Sequence, residues 1–246
     1  MNSYTSALRN GVAAPTLVLD LDDTVLGRSR GVHDTVLLYA WTTPFTGVPY
    51  PGAIESVNRL SRNFRIVAVT ARWNICAPNT ERWLVANGLA GLPVVHASRP
   101  HPGDASRIAF KLGAIERLRA EGWAPIAGVG DRPSDVEAYA RAGLATCVVA
   151  HARAEESGSI VAQHLNRAYE RWSMLTSSTP PLPATASIAL FAIDHTAVVA
   201  HAPHLANVLS HTERSDAAVL LPGSPPPPVW QQVESYLDGR VKEGTL

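Results

Sequence analysis

From Thr16 to Leu21 the chain runs TLVLDL, nearly unbroken apolar positions that end in carboxylates and give way to polar, Gly-containing sequence. A short run of that kind predicts a central strand covered on both faces and ending at a loop. Arg65 to Thr70 repeats the form, with Thr70 closing the second strand. Between them Pro51-Gly52 opens an amphipathic stretch with Ile54, Val57 and Leu60 on one helical face. The alternation continues. Pro78 to Gly88 predicts a helix carrying Trp83 and Leu84, Pro93 to His96 a strand, and Ser106 to Glu121 a helix with Ile108, Leu112, Ile115 and Leu118 in register. Pro125 to Gly130 is a strand, Ser134 to Ala142 a helix closed by Gly143, and Ala145 to Ala150 a further strand. Strands and helices in strict alternation predict an α/β fold, a doubly wound, three-layer Rossmann-like parallel sheet.

After Ala150 the pattern loosens. Glu155 to Trp172 reads as helical, then TSSTPPLPATAS interrupts it. Ile188 to Ile193 and Ala217 to Leu221 read as strands, Ala197 to Leu209 as a helix, Pro225 to Pro228 as a stiff segment and Val233 to Leu237 as a final short helix. The expected division is a catalytic domain over 14–175 and a C-terminal extension over 176–246, packed on or beside the core.

Composition narrows the partners. Of 246 residues 46% are hydrophobic, and 21 basic residues balance 21 acidic ones, so no overall field draws the chain to nucleic acid or an anionic membrane. Met1 to Pro15 does not read as a signal peptide, no apolar run is long enough to span a bilayer, and the expected compartment is the cytoplasm. Cys76 and Cys147 are too few for a disulfide scaffold and lack zinc spacing; Cys147 reads as a buried strand residue. His201 and His204 share a helical spacing that Pro203 interrupts, so the C-terminal histidines, with His195 and His211, read as ordinary side chains rather than a zinc site.

The chemistry concentrates at strand ends. Asp20-Leu21-Asp22-Asp23-Thr24 follows the first strand directly, where open α/β sheets place their ligands. Carboxylates gathered in a crevice are costly without a cation, and oxygen ligands suit Mg2+. A second acidic pair lies in Gly130-Asp131-Arg132-Pro133-Ser134-Asp135. There Asp131 ends a strand, and Asp135 stands one turn further on, placed either to orient a metal-bound water or Lys111, or to cap the helix. Thr70-Ala71-Arg72 offers a hydroxyl and backbone N–H groups to phosphoryl oxygens, and Lys111 brings a point positive charge.

These four stretches resemble, in order and spacing, the motifs of the haloacid dehalogenase-like superfamily over about residues 16 to 150. The resemblance implies a phosphatase with Asp20 as nucleophile, passing through an aspartyl phosphate, and Asp22 as general acid and base that also lends its carbonyl to the metal. It places Thr70 and Lys111 on the phosphate and Asp131, beside Asp135, on the magnesium; Thr24, Ala71 and Arg72 join the substrate contacts. Asp at the second position is the phosphatase form of the motif, which disfavours dehalogenation. Gly130 to Tyr139, GDRPSDVEAY, is similar to the matching stretch of lipin-type phosphatidate phosphatases, which usually carry Asn where this chain has Asp131; a lipid phosphate thereby joins phosphorylated small molecules as an expected substrate. Phosphoryl transfer, phosphoanhydride hydrolysis and a catalytically silent interaction protein are the alternatives.

Gly27 to Tyr50 is too short for a large cap domain and long enough for an enlarged flap, where Trp41 and Phe45 either line a substrate wall or pack the flap onto the body. An uncapped site is expected to be open unless the C-terminal region or a second subunit of a homo-oligomer covers it.

Overall fold

The structure, a computed structural model, describes residues 14–27, 47–101, 103–150, 167, 170–171, 174–175, 182–192 and 229–246. Trp41 and Phe45 of the flap, most of the helix expected over 155–172, the helix over 197–209, the strand over 217–221, the Pro225 to Pro228 segment and the four C-terminal histidines lie outside the described residues.

Six parallel strands form the sheet: β1 (Pro15–Leu19), β4 (Arg65–Trp73), β5 (Val94–Ala97), β6 (Ala124–Gly130), β7 (Ala145–Ala150) and β8 (Ser187–Ala192), in the order β5-β4-β1-β6-β7-β8. A separate antiparallel pair, β2 (Leu26–Gly27) with β3 (Val48–Pro49), stands at the two ends of the flap. The helices are α1 (Ala53–Leu60), α2 (Ala77–Ala86), α3 (Asp104–Ala120), α4 (Pro133–Arg141) and α5 (Val229–Lys242). Chain order reverses at β1, which has β4 on one side and β6 on the other. That reversal opens a crevice at the carboxyl end of β1.

Alternation along β1 sorts the core into two. Leu17 and Leu19 point to one face, where α1, Trp83 and Leu84 of α2, and Val229, Trp230, Val233 and Leu237 of α5 pack in one apolar cluster. Val18 points to the other face, which Ile108, Ile115 and Leu118 of α3 cover together with Ala138 and Tyr139 of α4. The central strand is thus buried on both sides, the condition that a parallel sheet requires. The expected three-layer parallel sheet is the observed one, and among the described residues no large cap is inserted into it.

One element differs from the sequence expectation. The second strand does not end at Thr70 but runs on through Ala71 and Arg72 to Trp73. Pairing with β5 slips between Thr70 and Trp73, after which Trp73 pairs with Ala97, and the Trp73 indole donates to the Ser98 carbonyl (3.0 Å). Polar residues at a strand end are compatible with continued pairing where a neighbouring strand still supplies partners.

The C-terminal helix is anchored electrostatically as well as by burial. Arg59 of α1 forms a fork to Glu234 of α5, Nε to Oε1 at 2.5 Å and Nη2 to Oε2 at 2.7 Å, and the Ser56 hydroxyl donates to Oε2 at 2.9 Å. The hydrogen bond from Arg59, with that from Ser56, holds the Glu234 carboxyl below its ordinary 4.5. A carboxyl whose folded pKa is depressed stabilises the fold above its unfolded value and loses that contribution as pH falls through the folded one. Glu234→Gln should therefore lower Tm at neutral pH by no more than about 2–4 °C, because the pair is partly exposed. Thermal unfolding should show the difference between wild type and variant vanishing in acid well below pH 4.5.

Candidate functional site

At the carboxyl end of β1 the backbone N–H of Asp20 donates to the Val129 carbonyl of β6 (2.9 Å), which ties the two strand ends together. The chain then turns tightly. Leu21 accepts from the N–H groups of Val25 and Leu26, and Asp23 takes a left-handed conformation (φ 59), which Asp tolerates better than most residues. Asp131 directly follows β6, and Asp135 lies in the first turn of α4. Side-chain oxygens of Asp20, Asp131 and Asp135 lie within 4.8 Å of one another, all three buried. Gly130 permits this: a Cβ there would stand 2.4 Å from Asp135 Oδ2.

Lys111, from the buried face of α3, places its ammonium 2.8 Å from Asp20 Oδ1 and 2.5 Å from Asp135 Oδ1. Burial disfavours that charge, but Asp135 and Asp20 outweigh it and hold the Lys111 pKa well above its ordinary value. Burial pushes the Asp20 carboxyl up to about 6 against the pull of Lys111, with Asp135 and Asp22 adding to the rise. Asp131 is likewise raised, by burial first and then by Asp135 and Asp20, with Arg132 opposing. One ammonium among three buried carboxylates leaves an excess of negative charge, and an oxygen-only donor set of this kind fits a hard divalent cation such as Mg2+.

Asp135 makes two contacts: Oδ2 accepts the Arg132 N–H at 3.2 Å, capping α4, while Oδ1 accepts from the Lys111 ammonium. Thr24 is fully buried behind the carboxylates, its hydroxyl 3.2 Å from Asp131 Oδ1 and 3.4 Å from Asp20 Oδ2. Asp22 points elsewhere, with both oxygens accepting from Arg72, Nη2 to Oδ1 at 2.6 Å and Nε to Oδ2 at 2.7 Å. The Thr70 hydroxyl accepts the Arg72 N–H at 3.3 Å. Cys76 is also buried, its thiol pushed up by desolvation, and no described bond joins it to the carboxylates.

In front of these groups lies a cavity of about 170 Å³. Asp20, Asp22, Thr70, Ala71, Arg72, Lys111 and Asp135 border it, whereas Thr24 and Asp131 do not. Four further lining residues stand outside the expected site: His101, Arg107, Arg132 and Ser134. Arg132 and Ser134 carried a signal, since both stand inside the Gly130 to Asp135 run; Arg107 and His101, flanking the start of α3, carried none. With Arg72 and Lys111 they give the cavity four permanent cations, and the Ser134 hydroxyl is buried without a hydrogen-bond partner in the structure. Such a wall suits a compact anion.

No family model and no curated protein matches the chain. Several solved structures do. A D,D-heptose 1.7-bisphosphate phosphatase from B. bronchiseptica, complexed with magnesium and phosphate, is 16% identical, with a TM-score of 0.43 over 78% of this chain and 99% of that one. An uncharacterized protein from Listeria monocytogenes serotype 4b is 16% identical, with a TM-score of 0.41 over 80% and 98%. A haloacid dehalogenase-like family hydrolase from Streptococcus pneumoniae is 13% identical, with a TM-score of 0.40 over 56% and 84%. Likeness at these levels assigns neither family nor activity to this chain. What the fold and site define is a parallel α/β protein with a buried acidic cluster able to chelate a divalent cation. No helix of the described residues is long and apolar enough to cross a membrane.

Asp131→Asn should remove part of the carboxylate repulsion. In metal-free protein at neutral pH the variant should be more stable by about 1 kcal/mol, a rise in Tm of about 2–4 °C. Any rise in Tm that an added divalent cation brings to the wild type should be smaller in the variant, which thermal unfolding with and without Mg2+ would measure.

Proposed function

We propose that the chain is a magnesium-dependent phosphomonoester hydrolase in which Asp20 is the nucleophile. The observation that carries the reading is the position of the Asp20 carboxylate: at the mouth of the central strand, fixed by Lys111, and bordering a cavity lined by Arg72, Arg107 and Arg132. Asp20, Asp131 and the backbone carbonyl of Asp22 would hold Mg2+, with Asp135 beside them. The ion, when bound, supplies neutralising charge for the phosphate oxygens.

The residues then divide the work. Lys111, Arg132 and the Thr70 hydroxyl donate to the phosphoryl oxygens and orient phosphorus toward Asp20. A carboxylate oxygen of Asp20 attacks in line, the ester P–O bond breaks, and the Asp22 carboxyl gives its proton to the departing alcohol. Water then attacks the aspartyl phosphate and gives its proton to Asp22, the bond to Asp20 breaks, and inorganic phosphate leaves. Both Asp22 oxygens accept from Arg72 in the absence of substrate, so the group rests as a carboxylate; a phosphate that draws the guanidinium away lets Asp22 take up a proton from solvent before the ester bond breaks.

Asp20→Asn should lower hydrolysis of any phosphomonoester to the detection limit, with no phosphoenzyme. Asp22→Asn should slow an alkyl ester far more than an activated aryl ester, since general acid catalysis is worth about 10²–10⁴-fold only where the leaving group needs a proton. The aryl ester should leave a phosphoryl group trapped on Asp20, seen by mass analysis after rapid quenching. Equal slowing of both esters without a trapped intermediate would assign Asp22 another role.

A further inference from the structure

We infer that Trp230, on the last helix, is a positioning residue for the acidic centre, its indole fixing the Asp20–Leu26 loop in the shape that sets Asp20 against Asp131. As it concerns the metal, this role rests on the magnesium reading given above.

Trp230 is fully buried among the apolar residues between α5 and the sheet. A buried indole N–H needs an acceptor, and this one donates to the backbone carbonyl of Thr24 at 3.1 Å. The same Thr24 turns its hydroxyl to Asp131 Oδ1 at 3.2 Å and Asp20 Oδ2 at 3.4 Å. Two like charges that repel are therefore spaced by one hydroxyl whose own backbone is pinned from behind. Leu21 gathers the loop's N–H groups from the opposite end. Outer partners that orient metal ligands carry a measurable share of metal affinity.

Docking of α5 does not depend on this bond alone. Glu234 is held by Arg59 and Ser56, and Tyr236 meets Phe191 of β8 edge-on with ring centroids 5.7 Å apart. The helix can thus stay in place when the indole is replaced by a ring without a donor, which separates positioning from packing.

The experiment compares wild type, W230F and E234Q by calorimetric titration of the metal-free full chain with Mg2+, alongside the Tm of each without metal. W230F should bind Mg2+ about tenfold more weakly, the lower end of what loss of an outer partner costs. E234Q, which loosens the same helix by a different bond, should bind as the wild type does even where its Tm falls as far. Undiminished binding by W230F, or weakening in both variants in proportion to their loss of Tm, would overturn the role. Where phenylalanine leaves α5 undocked, benzothienylalanine at position 230, which puts sulfur in place of the indole N–H, takes its place with the same two outcomes. A wild type that takes up no Mg2+ would instead remove the metal reading, and this role with it.

Discussion

The buried ammonium of Lys111 is the interaction around which the molecule is organised. It joins a residue at the end of β1, Asp20, to one in the first turn of α4, Asp135, from a third element, α3. Neither carboxylate would be held at that depth without it, since an ionised group loses several kcal/mol of hydration on burial unless paired. The sheet reversal at β1 provides the crevice, Gly130 the clearance, and Lys111 the charge that makes two of the carboxylates compatible. The third, Asp131, has among the described residues the hydroxyl of Thr24 and a distant Arg132 (3.9 Å) as its polar partners. The centre is left electrostatically incomplete.

That incompleteness explains the distribution of cations around the cavity. Arg72 neutralises Asp22, and Arg107 pairs on the surface with Asp104 (3.1 Å). Each is occupied with an anion of the protein itself. A dianion entering such a wall exchanges partners with existing ion pairs, which costs less than desolvating free guanidinium groups and discriminates against neutral molecules.

Much of this was legible in the sequence because it is local. The TLVLDL run fixes a strand and what stands at its end; GDRPSD places Asp131 and Asp135 a helical turn apart; the apolar positions of α3 imply which face Lys111 shares with Ile108 and Ile115. Contacts between distant segments were not legible. Arg72 reaches across 50 residues to Asp22, Glu234 across 175 to Arg59, and Trp230 across 206 to Thr24. Composition and periodicity carry no term for such pairings. The extension of β4 past Thr70 was missed for a related reason: Ala71-Arg72-Trp73 has no strand pattern of its own, and β5 supplies the pairing.

The sequence separation between Thr24 and Trp230 has a consequence in time. At about 5–20 residues per second of synthesis, 206 residues take on the order of 10–40 s. Through that interval the carboxylate loop exists on the nascent chain without the indole of Trp230. β4 and β6 emerge earlier and can flank β1, but the helix that closes the apolar face under the loop follows both. The acidic centre is therefore finished by a segment made long after its carboxylates.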